Sequence, residues 1–467
     1  MVFLFGGKSM IQRTIGQLAT MIHVENDVSN YSEIEVTGVC IDTRKLKRGN
    51  LFIPFKGNNV DGHQYVEDAI KNGASAALWQ KDVPNPPYHL PILVVENTEH
   101  SLQNVARSYR DQLNIKVIGV TGSNGKTTTK DMVTAVLSEK FNVQKTEGNF
   151  NNHLGLPITI LSLREDTDVA VLEMGMSAKG EIDFLTKLAK PDIAIITNIG
   201  EAHLQDLGSR EGIAEAKLEI TNGLKKDGLF IFIGDEPLLR ERVDQYKNFR
   251  IQTFGRSKMN DLYPISIEQQ NNGSVYSINK APERKLYLPV LGEYNVLNSL
   301  SAILSALELG LSMDEIELGL KALKLSSMRM EKHTGIKGTK IINDAYNASP
   351  TSMKAAIHML ETLADADDKI VVLGDMLELG DSEVEFHREV GRELKESKIK
   401  YVFTYGKLGN YIAESAKLTF PESRVFAFMD KQELVQHLKS VINGNEWILV
   451  KGSRGMKLEE VVQELAE

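Results

Sequence analysis

Residues 117–129, VIGVTGSNGKTTT, constrain this chain more than any other stretch. An apolar run stops at a glycine-rich turn, and the turn opens into a helix-forming segment headed by Lys126. Glycines let the backbone approach an anion, while exposed N–H groups and a helix N-terminus supply partial positive charge. Lys126 can reach the terminal phosphates of a nucleotide, and Thr127 can offer its hydroxyl to Mg²⁺. The strict phosphate-loop pattern asks for glycine at position 120, where Val120 stands. A purely structural strand-to-helix turn is the alternative. The intact Gly-Lys-Thr-Thr and its flanking elements argue against it.

The loop demands a particular surrounding. Apolar runs IKVIGV, VAVLEMG, IAIITNIG and GLFIFIGD follow one another, separated by helical stretches such as KTTTKDMVTAVLSEKF and REGIAEAKLEITNGL. This alternation predicts a mostly parallel sheet with helices on both faces. A turn signal at NNGSV predicts antiparallel strands at the end of this block. A second series (TKIINDAY, KIVVLGDM, YVFTYG and EWILVKGS) predicts another α/β unit of dinucleotide-fold type. The expected class is therefore α/β in three domains: a small α/β domain over 1–110, a central phosphate-loop domain over 111–327 and a Rossmann-like domain over 328–467. The segment MIQRTIGQLATMI reads as one amphipathic helix starting at Met10, with residues 1–9 outside it.

Charge and cysteine content narrow the function. Lys plus Arg total 54 against 63 Asp plus Glu, a net charge of -9. A phosphate-backbone binder selects a basic surface, so nucleic acid is not an expected partner. The single cysteine, Cys40, can form no internal disulfide, which fits a reducing compartment. No apolar run reaches the roughly 18 residues of a membrane span, and the opening lacks the basic n-region of a signal peptide. A cytoplasmic location is expected.

Three residues of the central block point to what the phosphate is used for. Glu173 ends an apolar run, where a carboxylate faces the crevice beyond the strand ends and suits Mg²⁺. His203 follows another run in the same way. In REGIAEAKLEITNGL, helical spacing sets Lys217 beside Ile213, Ala214, Ile220 and Leu224, with Glu215 and Glu219 turned away. A lysine on an apolar face either snorkels to water or loses its charge. A neutral amine can take up CO₂ as a carbamate, an anionic metal ligand.

These motifs resemble the Mur ligases, ATP-dependent amide-forming enzymes of peptidoglycan precursor synthesis. TGSNGKTTTKDM is similar to the family's ATP loop, so the resemblance gives Gly122, Ser123, Asn124, Gly125, Lys126, Thr127 and Thr128 to ATP. EGNFNNHLGLP is similar to a substrate loop, implying substrate contacts for Asn149, Asn151 and Asn152. LEMGM, TNIGEAHLQDLGSREGIAEAK and GEYNVLNSLSAI match in order and spacing, as do MRME, NDAYNASPTSM, LGDMLELG and VKGSRGMKLEE. The resemblance implies a carbamylated Lys217, with Thr127, Glu173 and His203 helping to hold a pair of Mg²⁺ ions. It implies catalytic roles for Lys126, Lys217 and His203. Asn295 would contact adenine, while Arg329 and Asp344 would reach ATP from the third block. Ser177, Arg210, Tyr346, Asn347 and Lys451 would serve substrate, the last three near an incoming dipeptide. DTRKLKRGNLFIPFKGNNVDGHQYV is similar to a nucleotide-sugar domain, placing Asp42, Thr43 and Arg44 by uridine diphosphate. Ser349 stands where the family commonly has Asn, and Asn343 where it often has an acid.

The implied reaction joins D-alanyl-D-alanine to the terminal carboxyl of UDP-N-acetylmuramoyl-tripeptide through an acyl phosphate. A monomer with no nucleic-acid partner is expected, its third block closing on the ATP site. The lysine- or diaminopimelate-adding members should carry Asp-Asn-Pro and Lys-Gly-His-Glu motifs; this chain has KGSRG near its end instead. A folylpolyglutamate synthetase would lack the first block. A phosphate-loop ATPase acting as a switch would hydrolyse ATP without the two substrates.

Overall fold

The computed structural model describes residues 10–57, 60–243, 248–363 and 368–466. The opening residues 1–9 lie outside this set.

The first parallel sheet contains Val39–Cys40, Leu51–Phe52, Ala76–Gln80 and Ile92–Val95 in that order. A short antiparallel pair, Gln12–Thr14 with Glu35–Thr37, precedes it. The expected helix from Met10 is therefore corrected. Residues Gln12–Thr14 are strand, and the helix is Ile15–Met21. Thr14 explains the switch: its side chain accepts from Gln17 N–H and the Gln17 side chain returns the bond, a capping box that fixes the helix start.

The central sheet has six parallel strands in the order Arg250–Phe254, Leu229–Ile233, Ile193–Ile196, Lys116–Thr121, Val169–Glu173 and Val143–Lys145. Its inner strands are buried on both faces, which is why they read as unbroken apolar runs rather than alternating ones. Register does the functional work. Val120 pairs with Glu173 and Thr121 with Ile196, so three loops leave the sheet at one carboxyl edge. A three-stranded antiparallel sheet follows, with its first turn between Pro264–Gln270 and Gly273–Ile278, at the NNGSV signal. The segment around Lys217 is corrected in length. The α-helix Arg210–Leu218 tightens into a 3₁₀ turn at Glu219–Gly223, where Ile220, Thr221, Asn222 and Gly223 are poor helix formers.

In the third sheet, the late strand Glu446–Lys451 inserts between Lys340–Asn343 and Asp368–Gly374. Tyr401–Tyr405 and Val425–Phe428 extend one side, and the antiparallel Glu331–Thr334 closes the other. The apolar interior runs across the seams. One core joins Leu18 and Leu102 to Val117 and Leu172; another joins Val136 and Ile303 to Met353 and Leu373. No helix among the described residues is long and apolar enough to cross a membrane.

Candidate active site

A cleft of about 570 Å³ opens where the carboxyl edge of the central sheet faces that of the third. Its floor is the glycine-rich turn. Gly122 and Gly125 have φ of +148° and +79°. A Cβ on Gly122 would stand 1.8 Å from Thr197 Oγ1, so the loop can pass this close to the neighbouring strand only as glycine. Asn198 braces the turn: its carbonyl accepts from Ser123 N–H at 3.0 Å and its Oδ1 from Asn124 N–H at 2.9 Å. The helix Lys126–Leu137 starts without any side-chain cap, leaving an N-terminus suited to an anion. Lys126 Nζ donates to Gly122 O at 2.7 Å, within its own loop. Burial lowers its pKa, partly offset by the charge of Glu173.

Glu173 is 3% exposed at the end of its strand. Its Oε1 accepts from Asn151 Nδ2 at 2.8 Å, while its Oε2 is buried without a partner. His203 lines the same cleft with a left-handed backbone, φ +64°. Burial, then the charges of Lys126 and Lys217, push its pKa down to about 4, so the ring is neutral at pH 7. Its Nδ1 lies 2.9 Å from Glu378 Oε2, at an angle that makes no hydrogen bond. Lys217 is 1% exposed. Burial drives its pKa well below the ordinary lysine value, helped by the charge of Lys126, and no carboxylate offsets this.

The third sheet supplies the opposite wall. Arg329 sits between Met328 and Met330, both with positive φ. Its guanidinium lies 4.1 Å from the Tyr346 ring centroid, its Nη2 is 3.4 Å from Thr127 Oγ1, and its Nε is buried without an acceptor. Strand insertion sets Asp344 beside Lys451: Lys451 Nζ bonds Asp344 Oδ2 at 2.6 Å and Asn347 O at 3.0 Å. Asp344 Oδ1 also accepts from Met330 N–H at 3.2 Å, tying the arginine's segment to the sheet. Besides the approaches of Arg329 to Thr127 and of Glu378 to His203, two hydroxyls bond across the cleft. Ser349 Oγ donates to Asn124 Oδ1 at 3.1 Å, and Thr351 Oγ1 to Glu201 Oε2 at 2.7 Å.

Of the residues singled out in the sequence, Ser123, Asn124, Gly125, Lys126, Thr128, Asn149, Asn151, Asn152, Glu173, Ser177, His203, Asn295, Arg329, Asp344, Tyr346, Asn347 and Lys451 line this cleft. Gly122, Thr127 and Lys217 are not among its lining residues. Several carry other bonds: Asn152 Oδ1 accepts from Gly155 N–H at 2.8 Å, and Asn295 Nδ2 donates to Leu291 O at 2.7 Å. Arg210 points elsewhere, to Ile199 O and Glu236. Asp42, Thr43 and Arg44 form a turn in the first block, where paired hydrogen bonds from Arg44 hold the Asp42 carboxyl down at about 2. Sequence reasoning missed Asn198, Glu201, Glu378 and Thr351. All four lie inside the quoted motifs, yet nothing in their spacing shows that they meet.

Does this arrangement suit Mg²⁺? Among the described residues, no three His, Cys, Asp or Glu side chains cluster tightly enough to hold a metal alone. The unpartnered Glu173 Oε2 and the neutral His203 are nevertheless a hard and a borderline donor beside a phosphate loop. Such a set completes its shell with phosphate oxygens and water.

Fold and cleft together define a class: α/β nucleotide-binding proteins whose site is shared between a phosphate-loop unit and a second parallel-sheet unit. Three family profiles match in succession: "Mur ligase family, catalytic domain" over residues 35–121, "Mur ligase middle domain" over 120–306 and "Mur ligase, glutamate ligase domain" over 328–454. The chain is 50% identical to the UDP-N-acetylmuramoyl-tripeptide–D-alanyl-D-alanine ligase of Bacillus subtilis, over 98% of this chain and 99% of that one. It is 32% identical to the Escherichia coli enzyme of the same name, over 98% and 99%. A crystal structure of MurF from Acinetobacter baumannii superposes with a TM-score of 0.88 at 30% identity, covering 98% and 99%. MurF ligase from Thermotoga maritima, solved in complex with ADP, gives 0.81 at 28% identity, covering 91% and 96%. The chain belongs to the Mur ligase family.

Proposed function

We propose that this chain is an ATP-dependent ligase that joins D-alanyl-D-alanine to the C-terminal carboxyl of UDP-N-acetylmuramoyl-tripeptide, in peptidoglycan precursor synthesis. The observation that carries the reading is 50% identity along essentially the whole chain to a ligase of that name. The cleft supplies the chemistry that such a ligase needs. A carboxylate resists attack by an amine because its charge repels the nucleophile and oxide is a poor leaving group. Transfer of the ATP γ-phosphoryl group makes phosphate the leaving group, and the dipeptide amine then attacks. Lys126 and Arg329, on opposite walls, would neutralise charge on the transferring oxygens.

Residues 122–128 would cradle the phosphates and Asn295 the adenine. Thr127, Glu173, His203 and a carbamylated Lys217 would hold two Mg²⁺ ions, which supply charge neutralisation and phosphate orientation. The depressed pKa of Lys217 supports the carbamate, because only a neutral amine adds to CO₂. Asn149, Asn151, Asn152 and Ser177 would face the nucleotide-peptide. Tyr346, Asn347 and Lys451 would face the dipeptide, Lys451 through its pairing with Asp344. Asp42, Thr43 and Arg44 would hold the uridine diphosphate end. We assign 1–110 to the nucleotide-sugar, 111–327 to ATP and 328–467 to the Rossmann-like wall, acting as a cytoplasmic monomer.

A phosphate-release assay tests the reading, with UDP-N-acetylmuramoyl-tripeptide and D-alanyl-D-alanine omitted in turn. Release should require both. Hydrolysis indifferent to both omissions would identify an ATPase and discard the ligase.

A further inference from the structure

Glu173 ends the central strand Val169–Glu173, its charge acts on Lys126 of the phosphate loop, and its two oxygens are treated differently. Oε1 accepts a 2.8 Å bond from Asn151 Nδ2. Oε2 is buried and has no partner. In this bond the amide NH₂ donates and the carboxylate oxygen accepts.

Asn151 is itself held in place. Its carbonyl accepts from Gly175 N–H at 2.8 Å, two residues beyond Glu173. A Cβ on Gly175 would come within 3.0 Å of the Asn151 side chain, so the absence of a side chain there lets the amide lie against this strand end. The backbone of Glu173 is pinned too, its N–H donating to Thr146 Oγ1 at 3.0 Å.

We propose that Asn151 is a positioning residue for Glu173: it fixes the carboxylate so that Oε2 alone faces the cleft as a ligand for a divalent cation. This rests on the reading of Glu173 as a cation ligand. The chemistry explains why an amide serves here. A lysine or arginine would fix the carboxylate equally well but would cancel the charge the cation needs. Asparagine orients it and leaves that charge in place. Outer partners of this kind typically govern metal affinity about 10- to 100-fold. The loop carrying Asn151 also carries Asn149 and Asn152, so the segment facing the cleft as a substrate loop is bonded to the cation's carboxylate.

The test is Mn²⁺ affinity, read by electron paramagnetic resonance on the full chain with the β,γ-methylene analogue of ATP. Asn151→Ala and Asn151→Leu should each weaken Mn²⁺ at least about 10-fold, while Asn152→Ala, which removes the cap on Gly155 and leaves Glu173 alone, should weaken it far less. Wild-type Mn²⁺ affinity in both Asn151 variants would overturn the proposal, as would an equal loss in Asn152→Ala, which would trace the effect to loop integrity. Glu173→Gln separates the two ideas. If it weakens Mn²⁺ and the Asn151 variants do not, only the positioning role falls. If it changes nothing, Glu173 is no cation ligand and the reading beneath falls with it.

Discussion

At the scale of single residues, the fold disfavours charge on buried titratable side chains where chemistry or packing is served by the neutral form. Lys217 is buried against a neighbouring positive charge with no acid to hold its proton. Supplied with ¹³C-bicarbonate, the protein should show one carbamate resonance that Lys217→Arg lacks, and removal of CO₂ should lower activity reversibly. No such resonance would leave the amine free. His387 is a structural case. Met376 N–H donates to its Nε2 at 2.8 Å, and its Nδ1 lies 2.6 Å from Glu383 O. Both bonds are satisfied only by the neutral ring carrying its proton on Nδ1. Burial accordingly pushes its pKa below 6.5. Above that value folded and unfolded chains are both neutral here, and the stabilisation is complete. As pH falls below it, the unfolded chain takes up a proton that the fold refuses, so stability drops through the folded value. Thermal melting from about pH 7 to about 5 should show this loss. His387→Gln should melt lower at neutral pH and depend less on pH. An unchanged slope would put the dependence elsewhere, His203 being the next candidate.

Among the elements, the helix Pro350–Thr362 does two jobs with one hydroxyl. Ser349 caps it through a reciprocal box with Ser352 and also donates to Asn124 of the phosphate loop. Ser349→Ala should cost about 1 kcal/mol in urea unfolding. Ser349→Asn, a side chain that caps about as well, should retain most of that stability. Equal losses in both would show that the hydroxyl's bond to Asn124 matters more than the cap. The same scale shows what could be read in advance. The central strands announced themselves because burial on both faces demands unbroken runs such as Val169–Glu173. The edge strand Glu331–Thr334, with sequence EKHT, gave no sign, because half of it faces water and a hairpin partner supplies its order. The phosphate loop and the apolar face around Lys217 were legible because local spacing encodes them. The meeting of Glu378 with His203, or of Glu201 with Thr351, was not. Each pair joins segments that follow strands of different sheets, and only tertiary placement brings them together.

For the molecule as a whole, one buried carboxylate ties the seam. Asp131, in the phosphate-loop helix, bonds Lys145 Nζ at 2.6 Å through Oδ1. Its Oδ2 accepts from both the N–H and the hydroxyl of Ser326 at 2.8 Å, just before the segment that carries Arg329. The nucleotide's helix therefore holds the strap that leads to the opposite wall. Removing one partner of a buried charge leaves the other stranded, so Asp131→Ala should cost about 3 kcal/mol of unfolding free energy. It should also weaken ADP binding, measured calorimetrically, by loosening Arg329. Unaltered ADP affinity in a destabilised variant would confine Asp131 to folding.

The late strand Glu446–Lys451 lies in the middle of its sheet, between strands made some seventy to a hundred residues earlier. A ribosome releases those earlier strands first, and they must wait side by side with an open slot until residue 451 clears the exit tunnel. The wall bearing Arg329 thus cannot set before synthesis is nearly over, whereas the phosphate-loop sheet, whose strands end at Phe254, is free to form long before. Nascent chains halted before residue 446 should already retain nucleotide on an ADP resin yet leave the last third open to protease.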